Sequence, residues 1–283
     1  MRTILVPTDF SNCSADAIKY AINFAAKTER KLLFFHSTFL LIPTRSSNFV
    51  YLNAVKTDKE TKMKLLIKYI DKIYNSLDIK RDGATTKFSV KFGNSLVENI
   101  IETLNEQFID LIIMGTHGAT GFRKMFMGSN ATKVIEQSYC PVLVIPHKFK
   151  FTNIKTISYA AADLDNVKKE LKKVIPIVAK LNASLEIFHI STSKASLLKY
   201  HKYNSNEFLQ SIMHHHKFYN LSFYVIDGID KDMTAVINSF IKHNKLDIVV
   251  TLTQKRGFFE KLFTTSQTKE LAYNLKVPLL AIK

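Results

Sequence analysis

Apolar runs alternate with stretches of helical period along the first half of the chain. Thr3 to Val6 form a short apolar strand that stops at Pro7-Thr8-Asp9. Ile18, Ala21, Ile22 and Ala25 then recur over 11–27, at the spacing of one helical face. A second buried strand is expected over 32–36. The connection over 38–52 carries Pro43 and several Ser and Asn residues, and it reads as irregular. Met63, Leu66, Ile67, Ile70, Ile73, Tyr74 and Leu77 make the stripe of an amphipathic helix. Alternation over 85–90 predicts a third strand. Ser95 and Glu98 have capping-box spacing and open a helix containing Val97, Ile100, Ile101 and Leu104. Leu111, Ile112, Ile113 and Met114 leave no room for solvent-facing alternation, as in a central parallel strand buried on both faces. Ala131, Val134, Ile135 and Ser138 mark one more helix, and 142–145 a last strand.

Strands separated by helices imply parallel βαβ units with right-handed crossovers. The fold class is therefore α/β, an open, doubly wound, five-stranded parallel sheet. In such sheets ligands bind beyond the carboxyl ends of the strands, where the winding reverses. Both Pro7-Thr8-Asp9 and the residues after Met114 sit at carboxyl ends and face one crevice.

After Pro146 the pattern starts again. Thr156-Ile157-Ser158-Tyr159 with Asp163 echoes Thr3-Ile4-Leu5-Val6 with Asp9, allowing one inserted residue. Residues 185–189 echo 32–36, and each ends in histidine. Residues 246–250 echo 109–113, and Val277-Pro278-Leu279-Leu280 repeats Cys140-Pro141-Val142-Leu143. A tandem duplication is predicted, with domains over 1–147 and 152–283 joined by a short basic linker.

The stretch 110–131 carries the most chemistry. Its strand stops at Gly115; glycines return at Gly118, Gly121 and Gly128, and Ser129 opens a helix. Glycines let a backbone approach a ligand closely, and a helix start offers unpaired N–H groups that suit phosphate. The physical reading is a phosphate cradle. The loop is not a Walker A sequence, because no Gly-Lys-Ser/Thr follows, and it does not follow the first strand as a dinucleotide fingerprint would.

Gly115-x-x-Gly118, nine residues, then Gly128-Ser129 resembles the nucleotide loop of the universal stress protein family, in its ATP-binding branch. The scaffold pattern of that family extends over both halves. The resemblance implies an adenine-nucleotide α-hydrolase-like fold in each half and pairing of the halves as a pseudo-dimer through their last strands. It also implies an ATP site, or one for AMP or ADP, with Mg²⁺ as an accompanying ion. Carried over residue by residue, Asp9 matches the acidic residue near the nucleoside, with Pro7 and Thr8 lining that end. Ser37, read as lying just beyond the second strand, falls where the family's backbone contacts adenine. Met114 and Gly115 start the loop, Gly118 lets the backbone pass the phosphates, and Gly128, Ser129, Asn130 and Ala131 form the helix start. In the second copy Leu252, Lys255 and Thr264 stand in the places of Gly115, Gly118 and Gly128, and one residue is missing. One nucleotide per chain, in the first half, is the expectation.

Composition narrows the alternatives. Forty Lys and Arg against 24 Asp and Glu give a net charge of +16, which draws polyanions. The lysines of the 56–72 helix are scattered rather than blocked, so a solvated surface is expected there and nucleic acid is not. No apolar run approaches the roughly 18 residues that would span a bilayer, and a cytoplasmic location is the default. Cys13 and Cys140 are too far apart in sequence and pattern for a thiolate metal site, and both are expected to be small buried side chains. His214-His215-His216 cannot all ligate one ion from a helix and read as a surface run, whereas His36 and His189 read as hydrogen-bonded groups at the core edge. Pro176 should kink or split the helix over 171–181. Binding and signalling, with the stress response as the family's association, is the leading reading. The others are a slow ATPase or nucleotidyl-transfer enzyme, with Asp9 helping to hold Mg²⁺, and a basic protein binding nucleic acid or anionic surfaces. A homodimer of the tandem chain stays open, and no catalytic residue or metal ligand is assigned.

Overall fold

The computed structural model describes residues 2–39, 48–93, 95–116, 129–161, 164–201, 206–253 and 276–283. These fall into two structural units, with the boundary between Phe151 and Thr152.

In the first unit the order is β1 (Thr3–Pro7), α1 (Asn12–Thr28), β2 (Lys31–Thr38), α2 (Asn48–Ser76), β3 (Thr86–Phe92), α3 (Leu96–Glu106), β4 (Leu111–Gly115), α4 (Ser129–Gln137) and β5 (Val142–Ile145). The strands lie in the order β3-β2-β1-β4-β5, and all four pairings between neighbours are parallel. Chain order reverses between β1 and β4, which makes that boundary the switch point. The apolar strand residues are buried on both faces: Ile4, Leu5, Val6, Ile112 and Ile113 are all inaccessible to solvent.

Local signals start and stop the helices. Ser11 is the N-cap of α1 and accepts the Ser14 N–H, and Glu29 ends the helix in the left-handed region, its N–H bonded to the Ala25 carbonyl. Ser95 and Glu98 form both bonds of the predicted capping box. Two expectations are corrected. The connection after β2 is not irregular as far as Leu52, because α2 begins at Asn48. Ser37 does not lie beyond β2; the strand extends to Thr38, and Ser37 pairs in register with Lys91 of β3.

The second unit holds β6 (Thr156–Ala160), α5 (Val167–Lys180), β7 (Ser184–Ser191), α6 (Lys194–His201), α7 (Asn206–His216), β8 (Leu221–Asp227), α8 (Met233–His243), β9 (Ile248–Leu252) and β10 (Leu279–Ile282). Its strand order, β8-β7-β6-β9-β10, is that of the first unit. Register makes the likeness residue-specific. Ile4 pairs with Leu111 and Ile157 with Ile248, while Gly115 pairs with Ile145 and Leu252 with Ile282. Leu252 therefore occupies the place of Gly115. Pro176 does not split α5, which runs unbroken from Val167 to Lys180. Its apolar face, Val167, Leu171, Val174 and Val178, is wholly buried, and that burial outweighs the missing backbone bond.

A candidate ligand site at the carboxyl ends of β1 and β4

Parallel pairing brings the ends of β2, β1 and β4 to one edge of the first sheet. Pro7 and Thr8 are buried there and Asp9 is exposed. A chain of polar contacts ties this edge to α1. Ser14 Oγ donates to the Ser11 carbonyl at 2.9 Å, and Thr8 Oγ1 lies 2.9 Å from Ser14 Oγ. A hydroxyl has one proton, so Thr8 donates to Ser14 and in turn accepts the Phe10 N–H at 3.1 Å. Asp9 Oδ1 accepts the Ser11 N–H at 3.1 Å. Phe10 is held at φ 64°, a left-handed conformation rare for a bulky residue, at the turn into α1.

His36 closes the edge from β2. Its Nδ1 is 2.8 Å from the Thr8 carbonyl. A carbonyl only accepts, so Nδ1 carries the proton and the neutral ring keeps Nε2 as an acceptor. Burial is the main cause holding the His36 pKa below its ordinary value, and Lys62 pushes it the same way. Phe10 packs against His36 and, edge to face, against Tyr69, with centroids 4.5 and 5.2 Å apart. Tyr69 donates to the Ser11 carbonyl at 3.2 Å, and burial raises the pKa of its phenol. Ser37 is half-buried, and its Oγ accepts from Asn99 Nδ2 at 2.8 Å. Asn99 itself is fully buried on α3.

The β4 end has a different character. Met114 is buried and pairs in register with Val144 of β5. A Cβ on Gly115 would lie 2.8 Å from the Cys13 carbonyl oxygen and 3.1 Å from Cys13 Sγ. The glycine is thus required by the first turn of α1 whether or not a ligand is bound. Thr116, also buried, lies 3.5 Å from Cys13 Sγ through Oγ1, and its N–H is bonded to the Ile145 carbonyl. Gly118 and Gly128 lie outside the described residues. Ser129 begins α4, Asn130 is exposed, and Ala131 is buried with Val134 and Ile135.

Pro7, Thr8, Asp9, Ser37, Met114 and Gly115 thus share one sheet edge. Sequence reading missed Phe10, Ser14, Tyr69, Asn99 and Thr116. Asn99 alone left a signal, a polar residue inside the buried stripe of α3. The bonds of Ser14 and Tyr69 depend on tertiary geometry that periodicity does not encode.

The profile described as the Universal stress protein family matches residues 1–146. The chain belongs to the universal stress protein family. Among its relatives, universal stress protein MJ0531 of Methanocaldococcus jannaschii is 28% identical over 153 residues, which is 51% of this chain and 81% of that protein. Universal stress protein MJ0577 of the same organism is 29% identical over 157 residues, covering 52% and 96%. A solved universal stress protein from Archaeoglobus fulgidus DSM 4304 aligns with 99% of this chain and 96% of its own, at a TM-score of 0.64 and 17% identity. A putative universal stress protein from Pseudomonas aeruginosa UCBPP-PA14 aligns with 100% and 93%, at 0.60 and 16%. At such identities the likeness bears on the fold, and it extends over both units. No helix of the described residues is long and apolar enough to cross a membrane, and no metal-binding group of His, Cys, Asp and Glu occurs among them.

Proposed function

We propose that the domain over 1–147 binds an adenine nucleotide, ATP in the first instance, and that the domain over 152–283, its diverged tandem copy, does not. The observation that carries this reading is the strand-to-helix junction at the switch point: β4 ends at Gly115 and α4 begins at Ser129. Helix starts at such junctions favour anions, and the intervening sequence holds Gly118, Gly121 and Gly128. The described donor set fits a nucleoside in part. Asp9 presents an exposed carboxylate that already holds the Ser11 N–H through Oδ1 and is suited to ribose hydroxyls or to Mg²⁺; the Thr8 and Ser37 side chains are engaged within the protein. Pro7, Thr8, Ser37, Met114 and Gly115 then act through backbone and shape, and Gly118, Gly128, Ser129, Asn130 and Ala131 form the phosphate end. Binding serves signalling in a stress response, in the cytoplasm, with the two domains paired as a pseudo-dimer.

Mass spectrometry of small molecules released from protein purified without added nucleotide tests the reading. About one ATP, ADP or AMP per chain is expected. Calorimetry with Gly118→Lys, the second copy's own residue, should show at least tenfold weaker ATP binding. Unchanged affinity would move the site elsewhere.

A further inference from the structure

In the second unit the first helix carries a cationic face that the corresponding helix of the first unit lacks. Lys168, Lys169, Lys172 and Lys173 are all exposed on α5. Their spacing makes two i,i+4 columns side by side on one face, each pair about 6 Å apart along the axis. The end of α7 adjoins them: His216 Nε2 lies 2.9 Å from the Lys168 carbonyl, which brings exposed His214, His215 and Lys217 to the same neighbourhood. Two nearby acids among the described residues are engaged. Glu170, the one acid of α5, accepts the Tyr159 hydroxyl at 2.6 Å, and Asp165 is paired with Lys199 at 2.6 Å. None of Lys168, Lys169, Lys172 and Lys173 is in an ion pair among the described residues. The His216 ring is held below its ordinary pKa by burial first, then by the charges of His215, Lys172 and Lys168. These cations are close enough to repel one another. The helix in the same place in the first unit, α1, has only Lys19 and Lys27, and its Asp16 faces His147 at 2.8 Å.

We propose that the outer face of α5, with the end of α7, docks the phosphate backbone of a nucleic acid without reading its sequence. Uncompensated like charges cost free energy in the unbound protein, and a polyanion relieves that cost while releasing its own counterions. An anionic bilayer fits less well. A helix that lies in a membrane interface inserts an apolar face, but the apolar face of α5 is spent on the interior and its outer positions are Lys168, Lys169, Lys172, Lys173, Pro176, Ala179 and Lys180. The inference is independent of the nucleotide site in the first domain.

Fluorescence anisotropy of a labelled mixed-sequence DNA duplex, titrated with the full chain at 50 and 200 mM salt, tests it. With about four phosphates neutralised, the salt slope is near −3.6, a loss on the order of 100-fold in affinity across that range. The variant K168Q/K169Q/K172Q/K173Q should abolish most binding at 50 mM with an unchanged melting temperature. The variant K59Q/K64Q/K68Q/K72Q removes the same charge from α2 and should bind like the parent. Equal losses in the two variants would reduce the effect to net charge and overturn the proposal. So would absence of binding at 50 mM, or capture of phosphatidylserine vesicles, but not DNA, through the α5 lysines.

Discussion

The two units share a strand order and a register but differ in what fills the frame. Leu5 pairs with Leu33 and Ile112; Ser158 pairs with Glu186 and Val249. Two residues beyond Ile112 stands Met114, and two beyond Val249 stands Thr251. One apolar patch of the first core, Leu5, Leu33 and Met114, has thus become Ser158, Glu186 and Thr251. Ser158 Oγ, Thr251 Oγ1 and Glu186 Oε2 are buried without a hydrogen-bond partner among the described residues. What both units keep is the bonding at strand ends. His36 Nδ1 meets the Thr8 carbonyl, and His189 Nδ1 meets the Ala161 carbonyl at 2.9 Å. The Asp110 N–H meets the Thr3 carbonyl, and the Asp247 N–H meets that of Thr156. Backbone alignment at the ends maintains this frame more strictly than interior side chains do.

The two equivalent aspartates give the largest expected contrast. Asp110 pairs with Arg30 at 2.7 Å, with both side chains about nine-tenths buried. Asp247 instead accepts the backbone N–H groups of Lys155 and Thr156 at 2.7 and 3.0 Å. Removing one member of a buried pair strands the other charge, so Arg30→Ala should destabilise the first unit by about 3 kcal/mol. Asp247→Asn keeps an accepting oxygen and should cost about 1 kcal/mol. Urea denaturation, with hydrogen exchange to separate the units, measures both; equal costs would break the contrast.

Gly115→Leu copies the residue of the second unit into the first. Its Cβ would strike the Cys13 backbone at 2.8 Å, and a loss of about 2 to 3 kcal/mol is expected from overpacking. A melting temperature within a degree of the parent would show that α1 can retreat.

The smallest effect sharpens the comparison of the cores. Burial raises the Glu186 pKa above its ordinary 4.5, so folding takes up a proton between the unfolded and folded values. Stability from this group is complete below the unfolded value and is lost as pH rises through the folded one. Glu186→Leu, matching Leu33, should stabilise the second unit by about 1 kcal/mol at pH 7 and remove that part of the pH dependence. Chemical denaturation at pH 4 and pH 7 reads both outcomes; a destabilised variant would mean the carboxylate has a partner.

Much of this frame was legible in the chain. The apolar runs located the strands, Ser95 and Glu98 marked a capping box that forms as expected, and the repeated histidines foretold a repeated bond. The errors have physical causes. The split expected at Pro176 was read by local chemistry alone, whereas tertiary burial carries α5 through it. The start of α2 was hidden because Pro43 and the Ser and Asn residues that follow it read as a loop signal that ran on past Asn48. The polar patch of the second core escaped notice because a repeat search rewards what matches. At the site, the edge residues were found by position, but which side chains are already engaged depends on contacts between distant segments.

The closeness of Gly115 to Cys13 has a mechanical consequence. Where a main chain touches a helix with no side chain between them, neither can be displaced without the other following. A ligand that shifted Gly115 would press on the opening turn of α1, and through Ser11 on Tyr69 of α2. Occupancy at one end of the sheet would then be felt along two helices as a single rigid-body nudge.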